Sequence, residues 1–260
     1  TYAGGLVVDK PLTIQGRCRA SVAVLSPADG VAFNVAGPAA TGSVQLGGLQ
    51  IRGAGGGLRV AGALGLTGKG LWLREFVGRG VDVVGPTSQA TLSQSIVIHG
   101  IAAVGAKGEL PDAGVIASHG GRVSLNEVRV DKALVVGLVS LGQGSEIRGD
   151  GVQVTGGRAD AKGLSGEGAL VKGGALILRS TRLSGNRDRG AVVHAAGKLT
   201  MTGCVVDYNL PNVAQDQGGR GLSVSEAAQV VLRGVRVAGN REVGIIVRGE
   251  GSAIDAVGLV

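Results

Sequence analysis

The chain has 260 residues, 50 of them glycine, and a hydrophobic fraction of 44 %, which excludes both a collagen and a disordered linker. Only five aromatics occur (Tyr2, Phe33, Trp72, Phe76 and Tyr208), so a compact core built on large rings is excluded as well. The net charge of +7 favours acidic partners, but the basic residues are dispersed and lack neighbouring rings, so nucleic acid is disfavoured.

In chain order, the sequence opens at Thr1 without methionine and reaches its first apolar alternation at Val7 to Ile14. A segment of the form Gly-apolar-x-apolar then recurs, as Gly30-Val-Ala-Phe33, Gly57-Leu-Arg-Val60, Gly80-Val-Asp-Val83, Gly114-Val-Ile-Ala117 and Gly137-Leu-Val-Ser140. It continues as Gly168-Ala-Leu-Val171, Gly190-Ala-Val-Val193, Gly221-Leu-Ser-Val224 and Gly244-Ile-Ile-Val247. Between these units lie pairs of short alternating runs, such as Val123, Leu125, Val128, Val130 and Leu199, Met201, Cys204, Val206. Alternation in short runs punctuated by glycine predicts β-strands, and no segment carries a helical period. The longest apolar stretch, Ala133 to Leu141, is too short to span a bilayer. The chain stops in mid-pattern at Leu259-Val260, so we expect a piece of a longer protein.

Three short strands per repeat predict an all-β fold, one turn of a single-stranded right-handed parallel β-helix for each repeat. Nine recognisable units give about nine turns in one domain over 1–260, a rod roughly 40–45 Å long. From Gly80 the steps between units are 34, 23, 31, 22, 31 and 23 residues, so long and short turns alternate. This predicts a two-turn repeat of about 54 residues from about 80 to 260. The added length falls between Ile98 and Gly114, Val154 and Gly168, and Val206 and Gly221.

Tight corners such as Gly185-Asn-Arg-Asp-Arg-Gly190 and Gly239-Asn-Arg-Glu-Val-Gly244 resemble those of the pectin-lyase-like right-handed β-helix superfamily. The opening Thr1-Tyr2 followed by Val7 to Gly16 is similar to the first turn of many such proteins. The resemblance implies the architecture. It leaves activity open, since that superfamily holds lyases, hydrolases, tailspikes and non-catalytic surface proteins.

No residue constellation commits the chain to catalysis. The acids do not stack at equivalent positions; Asp82, for instance, has Arg59 and Ile116 as rung neighbours. His99, His119 and His194 lie far apart and in no zinc spacing, so neither a metal nor a cofactor is expected. Lys172, His194 and Arg248 share one outward strand position, a basic column that could hold an anion. Asn186 and Asn240 fill one corner of two tight turns and read as structural. Ice binding by a flat threonine array is disfavoured, because threonines do not recur at one rung position. Cys204 takes an inward position equivalent to Val235; Cys18 lies about seven turns away, roughly 34 Å, too far for a disulfide between them.

The expected binding surface is a ridge formed by the three long connections. Glu109 and Asp112 lie in the first; Arg158, Asp160, Lys162 and Glu167 in the second; Tyr208, Gln215, Asp216 and Arg220 in the third. Insertions on one face of a repeat protein are often its binding face. The alternative is a solvated cover over an apolar outer strip of Ile116, Val139, Leu170, Val192 and Ile246. The expectation is a non-catalytic protein, extracellular, periplasmic or on the cell surface, whose partner is an anionic polysaccharide or a surface protein. A carbohydrate-active enzyme and a structural fibre segment are the rivals.

Overall fold

The computed structural model describes residues 1–17, 22–27, 30–37, 42–53, 55–98 and 111–260. Cys18, His99 and Glu109 lie outside them. The chain winds through three parallel ten-stranded sheets, and each strand bonds to its equivalent one turn away. Sheet one holds short strands such as Arg182–Ser184, sheet two the glycine-bearing strands such as Arg189–His194, and sheet three five-residue strands such as Lys198–Thr202.

There are ten turns rather than nine, because Gly5-Leu-Val-Val8 is a further unit whose strand Leu6–Val8 pairs with Val31–Val35. The Gly30 unit is also displaced. Phe33 pairs with Leu58 and Val35 with Val60, so the equivalent of Gly57 is Ala32, two residues on. A slip of two keeps every side chain on its own face. Ala32 is fully buried and small enough to stand where the other turns carry glycine.

The repeated glycine is a packing requirement. A methyl group at Gly57, Gly80, Gly114, Gly137, Gly168, Gly190 or Gly221 would lie no more than 2.8 Å from the carbonyl oxygen of the next glycine in the series. These residues stack backbone on backbone, and none of the seven is in the left-handed region. The bore beside them is a column of Val8, Val35, Val60, Val83, Ala117, Ser140, Val171, Val193 and Val224 in unbroken register. Val247 continues the column but is 44 % exposed, since it lies in the last turn. Ser140 is tolerated inside because its Oγ donates to the Ser145 carbonyl and accepts from the Ala175 N–H.

Single left-handed residues bend the chain between sheets three and one. Gly70, Gln94, Glu127, Gly151, Ser180, Gly203 and Gly234 repeat φ values of 47° to 63° at equivalent places. Each of these residues donates its N–H to the turn above, so the hydrogen-bond ladder runs through the corner. Just past the corner sits Cys204, free and buried, equivalent to Thr181 and Val235 as expected. Its Sγ lies 3.3 Å from the Thr202 carbonyl.

The outward strip on sheet two is buried at Ile116, Val139 and Val192 and half-buried at Leu170 and Ile246. Ile116 and Val139 are fully buried and form a small second apolar cluster with Ala113 and Val136. Sheet three departs from expectation too. Its central outward column does repeat threonine, at Thr13, Thr67, Thr91 and Thr200, and Gln45, Ser124, Arg148 and Ile177 interrupt it.

Candidate functional site

The corner from sheet one to sheet two is built from three consecutive positions. The first is a left-handed residue: Lys132, Gly156, Gly185, Tyr208 and Gly239, with φ from 52° to 64°. The second points inward and forms an asparagine ladder. Asn186 Oδ1 accepts from Gly157 N–H at 3.0 Å, and Asn209 Oδ1 accepts from the Asn186 backbone N–H at 3.1 Å. Asn240 Oδ1 accepts from Asn209 Nδ2 at 2.7 Å. Asn209, in the third long connection, is a rung that the sequence reading missed, because the insertion hides its equivalence. The stacked glycines make room here: a methyl at Gly168, Gly190 or Gly221 would meet the Nδ2 of Asn186, Asn209 or Asn240 within 2.9 Å.

The third position points away from the ladder. Arg158, Arg187, Leu210 and Arg241 occupy it in four successive turns, and each backbone N–H donates to the turn below through the same bond. Arg158 and Arg241 are exposed, Arg187 is half-buried, and Leu210 is 43 % exposed. Neither Arg187 nor Arg241 was a candidate from sequence. The signal was present as the repeated Gly-Asn-Arg-acid of residues 185–188 and 239–242, and it reads as a turn until the register shows the arginines stacked.

The acid that follows each of these arginines holds the third long connection. Asp188 is left-handed, and its carbonyl accepts from both Gly219 and Arg220. Glu242 accepts from Gly218 N–H at 2.8 Å and from Arg220 Nη2 at 2.7 Å. That pairing with the guanidinium holds the Glu242 carboxyl below the usual range. Two turns lower, the left-handed Val135 accepts from Gly166 and Glu167 in the same way. Each tight corner thus anchors the return limb of the long connection in the next turn.

The second and third connections meet across the tight corner between them. Val213 and Ala214 donate to the Gly163 carbonyl at 2.9 and 3.1 Å. Between them lies an open groove of about 570 Å³ lined by Arg158, Asp160, Lys162, Arg187 and Val213. Asp160 Oδ1 accepts from the N–H groups of Lys162 and Leu164, both at 2.9 Å, so this candidate ligand contact shapes the loop. Lys162 and Asp216 are exposed, and Tyr208 is 57 % exposed with its ring resting on Gly239. Arg220 is a clamp residue, and Asp112 is buried near Arg79, where loss of solvent raises its pKa.

A carboxylate pair does exist where sequence spacing shows none. Glu167 and Asp188 are each 8 % exposed, and Arg189 reaches both, at 3.8 and 3.3 Å. Burial raises the pKa of Glu167 to about 7 and that of Asp188 upward from the ordinary value. Asp188 packs on Gly218 at the foot of the third connection and does not face an open surface. Elsewhere, Lys172 and His194 pair in register as expected. His194 Nδ1 lies 3.4 Å from Glu226 Oε2, which offsets part of that column's charge, while Lys172 and Arg248 stay exposed. Among the described residues no cluster of three or more His, Cys, Asp or Glu could hold a metal ion, and no helix is long and apolar enough to cross a membrane.

A family model described as a right-handed β-helix region matches residues 79–258. The chain belongs to that family. Comparison with curated proteins and with solved structures returned no match. Membership in the right-handed β-helix family accounts for the sheets, corners and bore, and an architecture of this kind does not specify chemistry. The stacked connections are the part of the surface that departs most from the repeat.

Proposed function

We propose that this right-handed β-helix protein is a non-catalytic binding protein that acts outside the cytoplasm or on the cell surface. It takes a glycan or protein partner on the ridge formed by its stacked long connections. One observation carries the reading: the second and third connections bond to each other and flank an open groove lined by Arg158, Lys162 and Arg187. A corner needs none of this length, because Gly185 to Gly190 closes the same turn without it. The loops are also internally satisfied, by the Asp160 turn and by Asn212 Oδ1 accepting from Gln215 N–H at 2.8 Å. They present a fixed surface, which lowers the ordering cost of binding.

The carboxylates Glu167 and Asp188 do not favour hydrolysis. Glycosidic cleavage needs two carboxyls flanking a bond in an open cleft, and these two are buried under the return limb. The test replaces 156–166 and 208–217 with Gly-Asn tight corners and measures binding to an immobilised glycan panel, with circular dichroism as the folding check. Loss of binding in a folded variant is expected. Retained binding would remove the ridge as the site, and a stable trimer in solution without glycan binding would favour a fibre segment.

A further inference from the structure

The geometry points to the arginine column Arg158–Arg187–Leu210–Arg241 as the element that determines ligand class, selecting a linear anionic glycan laid parallel to the rod axis. This deepens the proposed ridge function and rests on it. The column is fixed by backbone, since each member's N–H makes the same bond to the turn below it. The inward position before Arg187 holds the buried Asn186, that before Arg158 a buried glycine and that before Arg241 the half-buried Asn240, so the arginine stems leave outward, and Arg187 Nη1 donates to the Pro211 carbonyl at 3.4 Å.

Spacing sets the ligand. Rungs stand about 4.8 Å apart, so the cations sit at steps of about 5 and 10 Å along a line of about 14 Å. A compact anion could engage one of them at a time; a chain with charge repeated along its length could engage all three. The exposed Leu210, in the gap, offers an apolar surface of sugar-ring size between charges. Lys162 lies on the groove wall beside Arg158 and adds a fourth cation. The neighbouring acids are engaged elsewhere: Asp160 holds its own loop's N–H groups, Asp188 faces Arg189, and Glu242 faces Arg220. Asp160 and the exposed Asp216 keep their charge but are outnumbered by Arg158, Lys162, Arg187 and Arg241, so the net charge along the column is positive. Flat aromatic platforms of the kind that stack single-stranded bases do not accompany it, since Tyr208 is the one ring in these connections.

The experiment measures binding of sulfated heparin-derived oligosaccharides of graded length, with neutral dextran, inorganic sulfate and a single-stranded oligonucleotide for comparison. Affinity is expected to rise with length until about 14 Å is spanned and then level off. Arg187→Gln and Arg241→Gln should each weaken binding roughly fivefold and lower the salt dependence by about one counterion. Arg179→Gln, an exposed arginine on sheet three, should change neither. Equal losses from Arg179→Gln, affinity independent of length, or tighter binding of the oligonucleotide would each overturn the inference. If both column variants bind normally while the loop-shortened protein does not, the column is refuted and the ridge stands. If a loop-shortened protein whose tight corners keep arginine and leucine at the places of Arg158 and Leu210 binds normally while the column variants do not, the ridge is refuted instead.

Discussion

Replacing Asn209 by alanine tests whether the corner ladder is a continuous structural element. Asn209 is fully buried, and its Oδ1 is the acceptor for both the backbone N–H of Asn186, at 3.1 Å, and its Nδ2, at 3.3 Å. Asn186 is also fully buried, so water cannot take over either bond. An unsatisfied buried donor costs about 1–3 kcal/mol, and two of them give about 2–6 kcal/mol for Asn209→Ala. Asn240→Ala removes the acceptor of the same two donors on Asn209, its backbone N–H at 3.2 Å and its Nδ2 at 2.7 Å, but Asn240 is itself half-exposed, so water can take the place of its oxygen and about 1 kcal/mol is expected. Urea unfolding followed by circular dichroism gives the two stabilities. Hydrogen exchange at the Asn186 and Gly190 amides shows whether the loss begins in that corner, as nearest-neighbour energetics require. Equal costs for the two variants, or a cost below about 1 kcal/mol at Asn209, would refute the claim that the ladder is dry and continuous.

Three further outcomes are expected. Gly190→Ala should be far more damaging than Gly203→Ala in thermal melts: the first drives a methyl against the Gly221 carbonyl at 2.7 Å, while the second meets no atom and incurs only the left-handed penalty of about 1–2 kcal/mol. Val193→Asp should cost several kcal/mol, since that residue is fully buried in the bore; wild-type stability in this variant would mean the inside–outside assignment is wrong. Glu167→Gln should leave stability unchanged near pH 4.5 and raise it above pH 7. The folded pKa of about 7 exceeds the ordinary 4.5, so the native state holds a proton that the unfolded chain releases, and wild-type stability falls across that window by on the order of 3 kcal/mol. A pH titration of the urea midpoint for both proteins checks this, and identical curves would show that Glu167 is solvated.

The sequence by itself determined the architecture, because a solenoid repeats one local pattern. Alternation in short runs placed Val193 inside and His194 outside, and the step between Gly80, Gly114 and Gly137 revealed the turns and their unequal lengths. Period-2 patterning is also why the two-residue misplacement of the Gly30 unit left the faces correct. Tertiary structure decided what depends on the distance between turns. The glycines read as punctuation, yet they are fixed by the carbonyl of the next turn, which no local window contains. Asn209 joins the ladder, and Arg158, Arg187 and Arg241 become neighbours, only once the insertions at 159–166 and 211–219 are looped out of the register. Glu167 and Asp188 lie 21 positions apart in sequence and share Arg189 because one turn of the helix brings them together. Local pattern reports which way a side chain points. What it meets is set by the stacking of turns, through backbone bonds between residues more than twenty positions apart.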